Sequence, residues 1–330
     1  MPSLTATSIA GSDVADCSAF DQTGVVRLTA IVPATNRPAT LRQCLDAIAR
    51  ATAGPDEVIV VDDCSLTHPA LARNAGARKA TGDVLVFVDA DVTVHSDAFV
   101  RIRQAFDADP KLVALFGSYD DSPAAPGTVS VFRNLLHHHV HQHGGGPAST
   151  FWAGLGAMRR DAFDACGGFV EHPIEDIELG MRLSESGARI VLDPALQGKH
   201  LKDWSLWSML RTDLIVRGIP WVGLLLEHRG SRAVSKLNLG WQHRLSALAC
   251  LAILTAAGLA NAWLAVTAIG VLVALNLSFY MLLTRRTGLG RAINGIGLHF
   301  LHHMVAVAAV PLGTLAYIAR RRTRPHSAST

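Results

Sequence analysis

Charge is what this chain has too little of. Asp, Glu, Lys and Arg make up 17% of its 330 residues, against roughly 25% in an ordinary soluble domain. The deficit is uneven, since residues 245–283 hold no charged residue at all. A uniformly soluble chain is therefore excluded. The pattern reads as a soluble domain over residues 25–230 followed by a membrane region over 231–330 with two or three transmembrane helices. No basic cluster precedes residue 284 and the net charge is only +3, so nucleic-acid binding has no support. Paired cysteines are also missing. Cys17, Cys44, Cys64, Cys166 and Cys250 show no CxxC spacing, which argues against a disulfide scaffold or a zinc site and fits a reducing compartment. Residues 1–24 lack a basic start and an apolar run. They read as a disordered tail rather than a signal peptide, which puts the soluble domain on the cytoplasmic side.

What is present alternates. Short apolar runs at 27–33, 57–61, 84–88 and 112–117 read as strands. Helical spacing at 39–50, 69–80 and 96–107 separates them. Strand and helix in turn predict an α/β domain on a parallel sheet. Its ligand crevice is expected beyond the carboxyl ends of the strands. Pro33, Asp62-Asp63 and Asp89-Ala90-Asp91 follow three of those ends. Further on, 131–143 reads as a helix, 150–158 as a strand, 174–185 as a helix and 188–192 as a strand before an Asp193-Pro194 turn. Residues 204–217 read as one amphipathic helix, with Trp204, Trp207, Leu210 and Leu214 on one side and Arg211 and Arg217 flanking it, which suits a membrane surface.

The uncharged stretch is about twice the ~20 residues that cross a bilayer. Gly258 and Asn261 near its middle suggest a hairpin of two spans. A basic loop (Arg285, Arg286, Arg291), a third apolar stretch at 293–318 and Arg320-Arg321-Arg322 follow. The positive-inside rule puts both basic clusters in the cytoplasm. One crossing cannot satisfy both, so either the third stretch is re-entrant or broken at Pro311 and Gly313, or the C-terminus departs from the rule.

Asp89 and Asp91 flank one small residue just after a buried strand. Such a pair can hold a hard cation, Mg²⁺ or Mn²⁺, which prefers oxygen ligands and keeps waters and phosphates in its shell. The alternative is two exposed loop aspartates. His137, His138, His139, His141 and His143 include i, i+4 pairs, the spacing of helical metal ligands. No carboxylate or cysteine accompanies them and Gly144-Gly145-Gly146 follows. They read as a helix end beside an acceptor-site loop rather than as a zinc site. Asp176 near a helix start suits a general base facing the crevice. Acids there also stabilise the helix through its dipole, which suffices for Glu178.

Six ordered motifs resemble the family 2 glycosyltransferases of the GT-A fold, a nucleotide-diphospho-sugar transferase fold, in their membrane-anchored bacterial form. They are Val32-Pro33-Ala34-Thr35-Asn36-Arg37, Val61-Asp62-Asp63-Cys64-Ser65, Ala72-Arg73-Asn74-Ala75-Gly76, Phe87-Val88-Asp89-Ala90-Asp91, the glycine loop Phe151–Gly156, and Glu175-Asp176-Ile177-Glu178-Leu179-Gly180-Met181-Arg182-Leu183. The resemblance runs from about residue 27 to at least 228. It implies that Asp63 accepts a hydrogen bond from the nucleotide base, with Pro33 and Thr35 lining that pocket. Arg73 would approach the nucleoside or diphosphate. Asp89 and Asp91 would contact ribose and metal, and His200 would complete the metal shell or touch phosphate. Asp176 would be the catalytic base, and Asn74, Gly154 and Glu175 would line the substrate site. Two positions depart from the pattern: Thr35 stands where an aromatic is usual, and Cys64 where a glycine is.

Together these imply an inverting glycosyltransferase of the cell (inner or plasma) membrane, multi-pass, with its catalytic domain in the cytoplasm. It would use a nucleotide-diphosphate sugar and a divalent metal. Its acceptor would be membrane-associated, with a lipid-linked molecule as one candidate, membrane lipids around it and no nucleic-acid partner. One alternative is a sugar-phosphate nucleotidyltransferase, although no glycine-rich phosphate loop lies between 31 and 40. A catalytically inactive membrane scaffold is the other, and intact Asp63, Asp91 and Asp176 count against it.

Overall fold

The computed structural model describes residues 25–229 and 240–323. The expected tail over 1–24 lies outside them. In chain order the first elements are β1 (Leu28–Pro33), α1 (Leu41–Arg50), β2 (Glu57–Val61), α2 (Pro69–Lys79), β3 (Val84–Val88), β4 (Val92–Val94), α3 (Ala98–Ala108) and β5 (Leu112–Tyr119). Then come α4 (Thr128–His143), β6 (Gly146–Ala148), β7 (Leu155–Arg159), α5 (Arg160–Ala165), α6 (Glu175–Glu185) and β8 (Arg189–His200). After α7 (Leu206–Arg211) the chain makes a π turn (Thr212–Gly218) and α8 (Ile219–Glu227). The last helices are α9 (Trp241–Gly258), α10 (Ala262–Leu275), α11 (Leu277–Thr287) and α12 (Leu289–Thr323).

The sheet runs β2-β1-β3-β7-β5-β8-β4, with β6 also on β8. It is mixed rather than wholly parallel as expected. β1, β2 and β3 are parallel neighbours, and so are β5 and β8, but β7 lies antiparallel between the two groups. β3 explains why the sheet is covered on both faces. Its five residues are all buried, and alternate side chains leave opposite faces. Val84, Val86 and Val88 pack with Cys44, Ile48, Phe99, Ile102 and Phe106 from α1 and α3. Leu85 and Phe87 pack on the other side with Phe151, Phe163, Phe169 and Leu179. A strand buried on both faces reads as a continuous apolar run.

Other boundaries moved. The expected strand at 150–158 begins only at Leu155. The expected strand at 188–192 continues through Asp193-Pro194 to His200, its pairing with β5 shifting register on the way. β4 pairs one end of β8 and β6 the other, and such non-local ladders have no local signature. The expected helix at 204–217 is α7 plus the π turn.

The uncharged stretch forms three helices. α9 and α10 pack together across the turn at 259–261, where Asn261 caps α10 by accepting from the Leu264 N–H at 3.0 Å. α10 has 14 residues, or ~21 Å, short of a ~30 Å hydrocarbon core. It bends by 76° into α11 at Asn276, whose buried side chain donates to the Ser246 hydroxyl and the Leu272 carbonyl. Among the described residues one helix, Leu289–Arg322, is long and apolar enough to cross a membrane, and the bent pair is a second if it forms one span. α12 is continuous through Pro311 and Gly313, so the break considered there is not seen. It also packs on the first domain. A Cβ on Gly218 would lie 2.8 Å from Ala309 Cβ, and one on Gly313 would lie 2.6 Å from Val222 Cβ. Small residues let these helix backbones approach closely.

Candidate active site

β1, β2 and β3 end on the same edge of the sheet, and each is followed by a polar segment. Pro33 stands opposite Val61 in the ladder, and the Ala34 N–H donates to the Val61 carbonyl at 2.8 Å. Pro33, Thr35 and Asp63 therefore share one end of the edge. Asp63 is exposed and accepts from the Ser65 hydroxyl at 2.7 Å and the Ser65 N–H at 2.9 Å. Those bonds hold it below the usual carboxylate range.

The middle of the edge is tied together by Arg73. α2 starts sharply, with Pro69 in its first turn and the His68 ring accepting from the Ala70 N–H, and it delivers Arg73 and Asn74 to the crevice. The Arg73 guanidinium is 5% exposed. Its Nη2 donates to Asp89 Oδ1 at 2.7 Å and its Nη1 to Glu175 Oε1 at 2.5 Å. Burial opposes its charge, but Asp89, Glu175 and Asp176 hold its pKa above the ordinary value. One buried cation thus joins three motifs distant in sequence. Asn74 is spent differently. Its amide donates to the Phe169 carbonyl at 2.7 Å and accepts from the Phe169 N–H at 3.0 Å, so it fixes the segment before α6.

Asp91 and His200 meet because Val92 pairs with His200 and the Leu201 N–H donates to the Asp91 carbonyl at 2.8 Å. His200 Nε2 lies 3.6 Å from Asp91 Oδ2, an ion-pair distance too long for a hydrogen bond. Tyr119 stacks on the His200 ring at 4.2 Å and 13° and sets its plane. Burial works to raise the Asp91 pKa, but His200 and Lys202 outweigh it and hold the carboxylate low. Asp89 goes the other way. Burial pushes it up, and Asp91 adds to the rise while Arg73 opposes it.

Asp176 lies in the first turn of α6, half-buried, accepting from the Ile177 N–H at 2.8 Å and from the Ala153 N–H at 3.4 Å. α6 comes this close to the glycine loop because a Cβ on Gly180 would lie 2.2 Å from the Phe151 nitrogen. Gly154 supplies a carbonyl to the Asp89 N–H at 3.1 Å. Burial, then Glu175, pushes the Asp176 pKa up to about 6, against Arg73 and Arg217.

The histidine run is a helix end, as expected, with α4 ending at His143. The segment after it is not a free loop, since β6 pairs with β8. The His137 ring packs at a tilt against Tyr119 at 4.3 Å, His141 at 3.9 Å and Trp152 at 4.7 Å. His141 Nδ1–H donates to the Gly117 carbonyl. Burial holds His137 and His141 well below the usual imidazole range. They are neutral aromatic packing beneath His200. Sequence reasoning passed over Tyr119 and Trp152 in this stack, and also over Arg133 of α4. Trp152 lies inside the glycine loop and Arg133 inside the expected helix, but nothing in either segment marks the side chain for a role, and Tyr119 lies just past an expected strand.

Residues 29–69 and 67–167 match the family model "Glycosyl transferase family 2". An uncharacterized glycosyltransferase of Haemophilus influenzae is 27% identical over 141 residues, covering 33% of this chain and 48% of the relative. The chain thus matches about half the length of that curated relative. Among solved structures, the mannosyltransferase PcManGT from Pyrobaculum calidifontis, in complex with GDP-Man and Mn²⁺, has the same fold, at a TM-score of 0.52 and 17% identity. That likeness covers 92% of this chain and 90% of PcManGT. Residues 29–167, which carry five of the six motifs, thus match glycosyl transferase family 2, and the domain that holds them has the fold of PcManGT.

Proposed function

We propose that the protein is an inverting glycosyltransferase that moves a sugar from a nucleotide-diphosphate donor to an acceptor at a membrane surface. The observation that carries this reading is the Arg73 bridge, which brings Asp89 and Glu175 together, with Asp176 beside them, at one sheet edge. The nucleoside end of the donor is assigned to Pro33, Thr35 and Asp63, and the diphosphate to the edge between Asp89, Asp91 and His200. PcManGT was solved in complex with GDP-Man and Mn²⁺, and a divalent cation is proposed here too. No three His, Cys, Asp or Glu side chains converge on a metal position among the described residues. The donor set still fits one. Asp91 is charged, His200 faces it, and Asp89 has an oxygen beyond the one Arg73 holds. The remaining positions suit substrate phosphates and waters. When bound, the cation neutralises charge on the departing diphosphate.

The chain's own residues do the rest. Asp63 orients the nucleotide. Arg73 holds Asp89 and Glu175 in place and puts positive charge behind the diphosphate. Asp176 takes the proton of an acceptor hydroxyl as its oxygen attacks the anomeric carbon from the face opposite the leaving group, so one displacement inverts the centre. A carboxylate raised to about 6 is suited to accept a proton near neutral pH. The division into a tail (1–24), a transferase domain (25–230) and a membrane region (231–330) is part of this proposal. So is a multi-pass placement in the cell membrane with the domain cytoplasmic, supported by one helix of crossing length and one bent pair.

Asp176→Asn is expected to lower the transfer rate by ~10²–10⁴ and to keep donor binding. Asp63→Ala is expected to weaken the donor first. Transfer at a near-normal rate by Asp176→Asn, with Glu175→Gln inactive, would assign the base to Glu175 instead.

A further inference from the structure

Between α5 and α6 runs a short segment, Cys166–Phe169, that belongs to none of the six motifs yet is held by two of them. Arg182, in the last turn of α6, turns its planar fork onto it. Its Nη1 donates to the Cys166 carbonyl at 2.5 Å and its Nη2 to the Gly168 carbonyl at 2.7 Å. Glu178, one turn earlier, steadies the guanidinium from the other side, accepting from Nε at 2.6 Å and from Nη2 at 3.0 Å. In the sequence the helix dipole sufficed for Glu178; in the structure it aims Arg182. From α2, the Asn74 amide holds the N–H and the carbonyl of Phe169. The segment therefore fastens α6, which carries Glu175 and Asp176, to α2, which carries Arg73.

The fit leaves little slack. Gly168 has a φ of +69°, and a Cβ on it would lie 2.8 Å from Asn74 Oδ1, so the backbone conformation and the approach of Asn74 both call for glycine. The Phe169 ring is buried and meets the rings of Phe87 and Phe163 edge to face at 5.1 Å and 5.5 Å. Its other neighbour is Arg73, whose Cζ lies 5.4 Å from the ring centroid, within the range of a cation–ring attraction. The contacts are thus unbroken from Arg182 to the reacting groups. Arg182 fixes two carbonyls of the segment, Asn74 fixes Phe169, the Phe169 ring backs the Arg73 guanidinium, and Arg73 holds Glu175 beside Asp176.

We propose that Arg182 is a positioning residue of the transferase, acting with Asn74 through the Phe169 segment to set Glu175 and Asp176 against Arg73. This deepens the glycosyltransferase reading and rests on it. Misplacing a reacting group by about 1 Å costs ~10²-fold in rate. The nucleoside end of the donor is held elsewhere, at Pro33, Thr35 and Asp63, and does not depend on the segment. Arg is suited to this task because its rigid fork reaches two carbonyls and an acid at once, which the single ammonium of Lys does not.

The test is hydrolysis of a nucleotide-diphosphate sugar by the full-length protein in detergent, with water standing in for the acceptor hydroxyl. The sugar is the one that wild type binds most tightly in calorimetry with a panel of UDP- and GDP-sugars and Mn²⁺. The kcat per mole of folded protein is then followed across pH about 5–8. Arg182→Gln should lower kcat by ~10–10²-fold and keep the donor Kd within about twofold. Its acid limb should also move below the wild-type value of about 6, because loosening the segment relieves the burial that raises Asp176. Arg182→Lys should recover part of the rate. Phe169→Leu keeps an apolar side chain but removes the ring from Arg73, and should show the same pattern if Arg182→Gln does not fold. An unchanged kcat in either folded variant, or an unmoved acid limb, would overturn the proposal, since a merely structural role changes the amount of folded protein and not the limb. Equal losses of kcat and donor affinity would overturn it too, by making the segment a support for the whole site. Failure of wild type to bind or hydrolyse any nucleotide sugar would count against the glycosyltransferase reading instead.

Discussion

The two walls of the crevice are built on opposite principles. The strand-edge wall is acidic and closed: Asp89 and Glu175 share one buried arginine, with Asp176 packed beside them. The wall on the side of the apolar helices is rich in cations: Arg133 is paired with Asp213, which His302 of α12 also holds, while Lys202 lies on the Trp204 ring and Arg217 is exposed. A matched buried network rigidifies the groups it holds. On the second wall the central pair is as buried as the Arg73 network, and it is Arg217 that is exposed. In the proposed reaction the strand edge fixes the donor and the base, while the pair on the second wall ties the domain to α12.

That contrast can be broken by substitution. The largest effect is expected for Arg73→Gln, which leaves Asp89 and Glu175 facing each other in a buried site. Removing one partner of a buried pair costs ~3–5 kcal/mol, read as a fall in unfolding free energy. Asp213→Asn removes a carboxylate that is 6% exposed and shared by Arg133 and His302, while Arg133 keeps its contact with the Trp204 ring. A loss of ~1–3 kcal/mol is expected there, and a loss larger than that of Arg73→Gln would reverse the contrast. A third test uses pH. Asp176 must be unprotonated to accept a proton, and its pKa stands at about 6. The transfer rate should therefore be level above that value and fall about tenfold per pH unit below it. A rate that stays level well below pH 6 would remove Asp176 from the role of base. The smallest effect belongs to Asp62→Asn. Its pair with Arg37 has side chains 76% and 58% exposed, and exposed pairs are worth ~0–1 kcal/mol.

The strand-edge wall was largely legible in the sequence and the second wall was not, for a physical reason. Asp63, Asp89 and Asp91 each follow a continuous apolar run, and in an α/β sheet the ends of such runs share an edge whatever the remaining topology. Their neighbourhood could be read before any strand order was known. The meeting of Asp91 with His200 needed the β4–β8 ladder, which joins distant segments through backbone groups common to every sequence. Asn74 belongs to a motif, yet its amide is committed to the Phe169 backbone, a role the motif does not encode. Arg133 lies in a helix without a signature. Arg217 read as the flank of one amphipathic helix, and the structure places it in the π turn over Thr212–Gly218. The apolar stretch announced its helices by composition, but the 76° bend depends on the bonds of the Asn276 side chain to Ser246 and Leu272.

The central claim is that the acidic strand edge binds a nucleotide-diphosphate sugar together with a divalent cation. Thermal unfolding of the full-length protein with a panel of such sugars, with and without Mn²⁺, tests it most directly. A ligand held only by the folded state at about 100 times its Kd adds about 2.7 kcal/mol. The midpoint of wild type should rise with at least one sugar, only when Mn²⁺ is also present, and should not move in Asp91→Ala. An equal rise without the metal, or an unchanged rise in Asp91→Ala, would contradict the claim.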